Sequence, residues 1–203
     1  MCELKDSSSY MIEIVEKEIS FENLKLYENI PASYVVQSRI VLDELDLGKK
    51  GLADLKESLE EPWIKDYDLI DGQGPSRWAS QFDISNWGLL TVSDKDRLIG
   101  GAVIAFHSEG VLMLEGRRDM VAIFDIRVHP SNRRTGIGKA LFAEAARWAK
   151  SRGCISMKIE TQDVNVSACR FYAAMGCELG AINSGAYTSL PKETQLLWYK
   201  ELL

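Results

Sequence analysis

The segment VHPSNRRTGIGKALF, residues 128–142, places three positive charges and two glycines directly before a stretch with helical periodicity. Gly136 and Gly138 leave room for backbone N–H groups to approach a ligand, and the following helix N-terminus carries partial positive charge. An arginine beside such a turn strengthens its attraction for an anion. The segment is therefore predicted either to bind a pyrophosphate group or to be a solvated turn whose arginines serve solubility.

Two other phosphate-binding motifs fit this segment poorly. A Walker loop needs a glycine five residues before the Gly-Lys pair and a hydroxyl after the lysine, where this chain has Arg133 and Ala140. A dinucleotide fingerprint needs its first glycine directly after a strand and a small third residue, where this chain has a longer connection and Leu141. An enzyme that binds NAD(P) is therefore the least favoured interpretation.

At these residues the chain resembles the GNAT family of acetyl-CoA-dependent N-acetyltransferases. The family pattern is Arg or Gln, two residues, Gly, one residue, then Gly or Ala, and residues 133–138 match it after the V-x-P of residues 128–130. The second half of the signature follows in register, with Asn165 opening the next helix and Phe171-Tyr172 further along it. The resemblance covers residues 87–182, which are predicted to form the cofactor-binding core.

A closer likeness lies toward the C-terminus. Residues 159–187, IETQDVNVSACRFYAAMGCELGAINSGAY, resemble the corresponding part of streptothricin (nourseothricin-type) acetyltransferases. The resemblance implies an N-acetyltransferase that moves acetyl from acetyl-CoA to a primary amine of a small molecule. The acceptor implied is a streptothricin-like or other cationic antibiotic, which would confer antibiotic resistance, and a polyamine or amino-acid derivative stays open as an alternative.

The resemblance also implies which residues hold the donor and which deliver a proton. Backbone amides of the turn would bind the pyrophosphate, the strand before it would pair with the pantetheine arm, and Tyr172 would protonate the coenzyme A sulfur. The predicted donor-binding residues are Ile126, Arg127, Val128, Arg133, Arg134, Thr135, Gly136, Ile137, Gly138, Lys139 and Asn165.

The general base is not fixed by the resemblance. Many relatives carry an acidic residue or a histidine four residues before the valine, where this chain has Phe124. Asp125 is expected on the opposite face of the strand by alternation, which favours a structural role. A substrate amine that arrives neutral is another solution, and so is a non-catalytic acyl-CoA-binding or regulatory module. Glu115 and Asp125 complete the candidate catalytic set with Tyr172, and Asp119 and Glu160 are further candidates.

The elements that position these residues follow from periodicity. From residue 87 the predicted order is β, β, β, α, β, α, β, β, with Asp163 expected to start the second helix and Gly153 and Gly176 to end the two helices. The predicted strands are 87–93, 98–106, 121–128, 154–161, 177–182 and 194–202, and the predicted helices are 136–153 and 163–176. A helical crossover makes 121–128 and 154–161 parallel within an otherwise antiparallel sheet. The fold class is therefore α/β (α+β), a mixed sheet flanked by helices, as in GNAT acyltransferases.

The N-terminal part carries weaker signals. Residues 1–9 are predicted to be a disordered lead-in, and strands are predicted over 11–19 and 33–42. Residues 43–86 are expected to be a long connection with one or two short helices, one of them near PSRWASQF. The 203 residues are predicted to form a single domain.

Composition narrows the class of protein. The hydrophobic share of 46% and the charged share of 27% are those of a globular domain, and the net charge of -6 argues against a nucleic-acid partner. Neither a membrane span nor an export signal is evident, which favours the cytoplasm. The four cysteines form no C-x-x-C pair and the two histidines lack zinc-ligand spacing, so no metal site is expected. The apolar last strand is compatible with a sheet edge or with a homodimer interface.

Overall fold

A computed structural model of the chain describes residues 12–42, 56–70 and 74–202. The lead-in predicted over residues 1–9 lies outside the described residues. The described helices are α1 Phe21–Tyr27, α2 Pro75–Gln81, α3 Ile137–Ser151 and α4 Val166–Ala174. The described strands are β1 Val15–Lys17, β2 Ser33–Ile40, β3 Glu57–Asp66, β4 Gly88–Asp94, β5 Arg97–Ala105, β6 Met120–Val128, β7 Ser156–Gln162, β8 Glu178–Ser184 and β9 Thr194–Glu201.

A seven-stranded sheet runs in the order β1-β4-β5-β6-β7-β9-β8, and β2 and β3 form a separate antiparallel pair. Strands β6 and β7 are parallel and the other neighbours are antiparallel, which confirms the predicted mixed sheet. The pairing of β6 with β7 ends at Ile123 and Ile159, although β6 continues to Val128 and β7 to Gln162. The two strands therefore separate and leave a gap in the middle of the sheet.

Helices cover both faces of this sheet. Helix α3 buries Ile137, Leu141, Ala145 and Trp148 at the predicted spacing of three or four residues, and it shares its core with α4. Helices α1 and α2 cover the opposite face, where Tyr27 and Trp78 pack on alternate residues of β5 and β6. Each fully buried large apolar side chain stabilises the fold by about 1.5–3 kcal/mol. No helix in the described ranges is long and apolar enough to span a membrane.

Strand β3 corrects the prediction that residues 43–86 form only a connection with short helices. Its sequence, ESLEEPWIKD, is mostly exposed and includes a proline, so neither burial nor alternation marks it as a strand. It forms because β2 pairs with it along nearly its whole length. The helix predicted near PSRWASQF is confirmed as α2. The strand predicted over 11–19 is shorter than expected, because only Val15–Lys17 pair with β4.

The start of helix α4 also differs from the prediction. The helix begins at Val166 because the Asn165 side chain accepts a hydrogen bond from the backbone N–H of Ala168 at 3.2 Å. Asp163 is instead buried, where it pairs with Arg39 at 3.2 Å and accepts the backbone N–H of Thr194 at 2.8 Å. Asp163 therefore joins β2 to β9 and does not cap the helix.

Candidate active site

The gap between β6 and β7 opens into a cleft of about 510 Å³. Both sheet faces contribute to its walls, because the missing strand pairing lets side chains from either side reach the same space. The predicted site residues that line it are Asp125, Ile126, Arg127, Val128, Arg133, Arg134, Gly138, Asn165 and Tyr172. Glu115, Thr135, Gly136, Ile137 and Lys139 are not part of its wall as described.

The edge of β6 exposes backbone groups to the gap. His129 donates its N–H to the carbonyl of Ile99 at 2.8 Å, so Gly100 and Val128 form a pair that does not exchange hydrogen bonds. The backbone groups of Val128 therefore point away from β5 and toward the gap, and those of Ile126 do the same two residues earlier. This edge can accept an extended ligand as an added strand.

The turn after β6 presents a row of amide groups. Arg134 and Gly136 both adopt left-handed backbone conformations, with φ of 67° and 95°. The first hydrogen bond of α3 runs from the Ala140 N–H to the Gly136 carbonyl, at 3.0 Å. In the described part of the chain, nothing accepts a hydrogen bond from the amides of residues 134–139. These amides and the helix N-terminus together form a cradle for an anion.

The two arginines of this turn have different roles. Arg133 donates from Nε to the Val128 carbonyl at 3.1 Å and from Nη2 to the Ser33 carbonyl at 2.9 Å, so it ties β6 to β2. Burial lowers the pKa of Arg133. Arg134 lines the cleft and pairs with no acidic side chain within the described ranges. Arg134 is therefore the arginine that can face a bound anion.

A bulge in β6 places Asp125 differently from the prediction. Val103 lies opposite Asp125 and Ile104 opposite Ile123, so Phe124 is an extra residue in the strand. Phe124 packs against Trp78, on the face covered by α1 and α2, and Asp125 interacts with Tyr27 on that same face. The prediction that Asp125 points away from the Phe124 face is therefore wrong, because simple alternation does not hold across a bulge.

Asp125 belongs to a buried charge cluster. Arg127 donates from Nε to Asp125 at 2.5 Å and from Nη1 to Asp68 at 2.8 Å, and its side chain is only 4% exposed. The Asp125 side chain keeps 21% exposure because it borders the cleft. Burial raises the pKa of Asp125, and the Arg127 charge offsets part of that rise. The two carboxylates and one guanidinium give the cluster a net charge of -1 when all are ionised.

Helix α4 brings a phenol to the other side of the gap. Tyr172 lines the cleft, is 4% exposed, and packs against Phe142 with ring centroids 5.8 Å apart. Its hydroxyl makes no hydrogen bond within the described part of the chain. Burial first, and then the charge of Asp125, raises the pKa of Tyr172. The phenol is therefore protonated at neutral pH and can donate a proton.

The structure does not bring Glu115 to the cleft. Glu115 accepts hydrogen bonds from Lys158 Nζ at 2.5 Å and from the Tyr199 hydroxyl at 2.9 Å, outside the cleft wall. The hydrogen bond from Lys158 lowers the pKa of Glu115, which makes it a weaker base. Asp119 pairs with Arg117 at the surface. Among the predicted carboxylates, Asp125 and Glu160 are the ones that line the cleft.

Sequence reasoning missed three polar residues of the cleft wall. Tyr34 on β2 and Tyr67 after β3 line it, with ring centroids 6.0 Å apart, and Gln162 at the end of β7 joins them. Burial raises the pKa of Tyr67 to about 12. Motif spacing could not find these residues, because they come from distant parts of the chain. Within the described ranges, no group of three or more His, Cys, Asp or Glu side chains could hold a metal ion.

Known proteins with similar sequences are streptothricin acetyltransferases. Streptothricin acetyltransferase A of Bacillus subtilis is 39% identical over 79 residues, which are 38% of this chain and 46% of that protein. Streptothricin acetyltransferase of Escherichia coli is 35% identical over 111 residues, which are 53% of this chain and 64% of that protein. The chain thus matches less than two thirds of the length of each of these relatives.

Similarity in structure extends further along the chain. A crystallised Bacillus anthracis protein, assigned as a streptothricin acetyltransferase and in complex with acetyl coenzyme A, has a TM-score of 0.64 at 23% identity. The superposition covers 93% of this chain and 99% of that one, so the two share a fold. The model of the acetyltransferase (GNAT) family matches residues 52–177, more than half of the sequence. The chain therefore belongs to the acetyltransferase (GNAT) family.

Proposed function

We propose that this protein is an N-acetyltransferase that moves acetyl from acetyl-CoA to a primary amine of a small cationic molecule, with streptothricin-type antibiotics as the first acceptor class to test. The observation that carries the proposal is the gap between β6 and β7. There part of an anion cradle, an open strand edge, a partly buried carboxyl and a protonated phenol meet at one cleft. The names of the relatives support streptothricin as the acceptor.

The donor would be held by backbone groups more than by side chains. The amides of residues 134–139 and the positive end of α3 suit a pyrophosphate, and Arg134 adds charge at the same place. The open edge at Ile126 and Val128 suits the amides of a pantetheine arm, which would then occupy the position of a missing strand. Asn165, at the start of α4, also lines the cleft.

The chemistry would divide between the two sides of the gap. Asp125 accepts a proton from the acceptor ammonium, and the free amine attacks the thioester carbonyl. The Val128 N–H stabilises the resulting oxyanion, since it points into the gap. The carbon–sulfur bond then breaks to give the amide, and Tyr172 gives its proton to the departing thiolate. The second proton of the attacking nitrogen passes through water to the Tyr172 phenolate, and Asp125 releases its proton to solvent.

We further propose that the described elements act as one domain and that the protein works in a reducing compartment, the cytoplasm. The three cysteines of the described ranges, Cys154, Cys169 and Cys177, are buried and free, as is usual where thiols are kept reduced. Acetyl-CoA is available to an enzyme in the same compartment.

Thiol release tests the proposed activity. The purified protein is mixed with acetyl-CoA and either streptothricin, a panel of primary amines or no acceptor, and free coenzyme A is followed by a thiol reagent. Acceptor-dependent release, with acetylated product identified by mass spectrometry, is the expected result. Tight binding of acetyl-CoA without release for any acceptor would instead indicate a non-catalytic acyl-CoA-binding module. The variant Asp125→Asn provides a reference in which acceptor-dependent release is expected to be much slower.

A further inference from the structure

The proposed chemistry leaves one carboxylate of the cleft without a role. Glu160 directly follows Ile159, the last residue of β7 that pairs with β6, and its side chain lines the cleft. Within the described ranges it pairs with neither lysine nor arginine. Asp125, by contrast, is held against Arg127. Among the residues that the structure describes, Glu160 is therefore the cleft carboxylate that no lysine or arginine side chain neutralises.

Neutral donors hold both oxygens of Glu160 in place. The Tyr187 hydroxyl donates to Oε1 at 2.6 Å, and Gln195 Nε2 donates to Oε2 at 2.8 Å. Tyr187 belongs to the loop between β8 and β9, and Gln195 to β9 itself. A carboxylate offers about four lone-pair positions, so two donors leave it able to accept more hydrogen bonds.

A chain of hydrogen bonds extends from this carboxylate along the cleft. Gln162 Nε2 donates to the Tyr187 oxygen at 3.0 Å, and the Tyr67 hydroxyl donates to Gln162 Oε1. Every donor points in the same direction along the chain, toward Glu160. The arrangement fixes the carboxylate before any ligand arrives, which reduces the ordering cost of binding.

We propose that Glu160 determines acceptor specificity by binding a cationic group other than the amine that is acetylated. The acceptor class is then a molecule with at least two amino groups. One amine meets Asp125 beside the donor edge of β6, and a second ammonium forms charge-assisted hydrogen bonds with Glu160 on β7. An acceptor with a single amine leaves the Glu160 carboxylate without a cation. This inference rests on the proposed acetyl transfer and specifies its substrate.

Steady-state kinetics with matched acceptors tests the proposal. At saturating acetyl-CoA, cadaverine is compared with the amino alcohol of the same chain length, using wild type, Glu160→Gln and Glu201→Gln. Glu201 is an exposed residue at the end of β9, so its variant removes the same charge away from the cleft. Wild type and Glu201→Gln are expected to prefer the diamine in kcat/KM by about tenfold or more, the usual scale for a hydrogen bond to a charged group. Glu160→Gln is expected to lose that preference through a higher KM for cadaverine.

A second variant tests the orientation of the Glu160 carboxylate while its charge is kept. Tyr187→Phe keeps the ring and removes the hydrogen bond to Glu160, so a smaller loss of the preference for the diamine is expected. An equal fall in kcat for both acceptors in Glu160→Gln would overturn the proposal and identify Glu160 as a base. An unchanged preference for the diamine in Glu160→Gln would overturn it as well.

Binding measurements distinguish this inference from the proposed function. If the wild type acetylates neither amine, the proposed function fails for these acceptors, and calorimetry of cadaverine with the protein saturated with coenzyme A still tests Glu160. Binding about tenfold weaker in Glu160→Gln than in Glu201→Gln supports the assignment. Equal affinity in the two variants overturns it.

Discussion

Phe124 and Asp125 are consecutive residues of β6, yet both side chains point to the face covered by α1 and α2. The bulge at Phe124 produces this arrangement, and it has two effects. Phe124 joins an aromatic cluster with Trp78, Phe82 and Trp87, and Asp125 reaches the cleft instead of the opposite face. The bulge therefore brings a carboxyl to the face on which the family resemblance implies an acid at position 124.

Asp125→Asn should lower kcat/KM for the amine by about 10²–10⁴, the range for loss of a positioned base. The base must be deprotonated, and burial raises the pKa of Asp125 above its ordinary value. Wild-type kcat/KM should therefore fall as pH decreases through that raised pKa, and the fall should be absent in Asp125→Asn. The pH profiles of the two proteins check this. A retained acidic limb in the variant would assign the limb to another group.

Tyr172→Phe should reduce kcat by about 10²–10⁴ and leave the Kd of acetyl-CoA nearly unchanged, since the ring still packs against Phe142. Because burial raises the pKa of Tyr172, the wild-type phenol stays protonated beyond pH of about 10. The rate should therefore show no basic limb from this group below that pH. Single-turnover kinetics and calorimetry separate the two parameters. A normal kcat in the variant would exclude Tyr172 as the acid.

Arg127→Met should destabilise the protein by about 3–5 kcal/mol, because it leaves Asp125 and Asp68 without their buried cation. Urea unfolding measures the free energy. The loss in free energy of unfolding should become smaller as pH decreases, since protonation of Asp125 and Asp68 removes the unpaired charge. Arg147→Met is the matched control, because the exposed pair with Glu144 contributes about 0–1 kcal/mol. Equal losses in both variants would mean that the cluster is effectively hydrated.

Gly138→Ala should weaken acetyl-CoA binding without weakening the fold. A Cβ at Gly138 would contact Phe171 at 3.7 Å and Val128 at 3.8 Å, which are ordinary distances, and alanine favours the helix by about 0.5–1 kcal/mol. The added methyl would lie in the wall that we propose faces the pyrophosphate, so a Kd at least about tenfold higher is expected, equivalent to 1.4 kcal/mol. Gly136→Ala is the contrasting variant: its φ of 95° costs about 1–3 kcal/mol of stability. Normal acetyl-CoA affinity in Gly138→Ala would place the phosphates elsewhere.

Asn165 caps α4, and two variants separate this capping from its proposed role in binding acetyl-CoA. Asn165→Ala removes the cap of α4 and should cost about 1 kcal/mol, whereas Asn165→Asp keeps an oxygen that accepts the Ala168 N–H. Both variants lose the amide N–H donors, so both should bind acetyl-CoA more weakly. Thermal unfolding and calorimetry on the same samples distinguish the roles. Full acetyl-CoA affinity in Asn165→Asp would limit this residue to capping.

Much of the fold follows from the sequence because buried strands and an amphipathic helix have strong periodicity. The parallel pair β6 and β7 and the helix between them follow from the apolar pattern of residues 121–161. Strand β3 does not, because it is exposed and owes its conformation to pairing with β2. A predicted start of α4 at Asp163 is too early, because Asp163 and Asn165 are equally good caps by residue type and only the tertiary contacts of Asp163 decide between them.

The residues of the candidate site also fall into those that the sequence predicts and those that it does not. The turn at residues 133–138 has a local signature, and the structure places Arg134 and Gly138 in the cleft wall as a continuous segment should. The position of Asp125 depends on a bulge, which no local sequence pattern within residues 120–128 predicts. Tyr34, Tyr67 and Tyr187 come together only through the β2–β3 pair and the β8–β9 loop. Contacts between segments so far apart in the sequence can be identified only from the structure.

The cleft therefore has two walls with different construction. The wall proposed to face the donor takes most of its residues from one stretch of chain, 126–138, whereas Tyr34, Tyr67 and Gln162 come from three separate parts of the chain. For protein engineering, this separation means that a combinatorial library can vary Tyr34, Tyr67 and Gln162 while residues 126–138 stay constant. Each variant in such a library would keep the same acyl donor, so selection on new amines would act on acceptor binding alone.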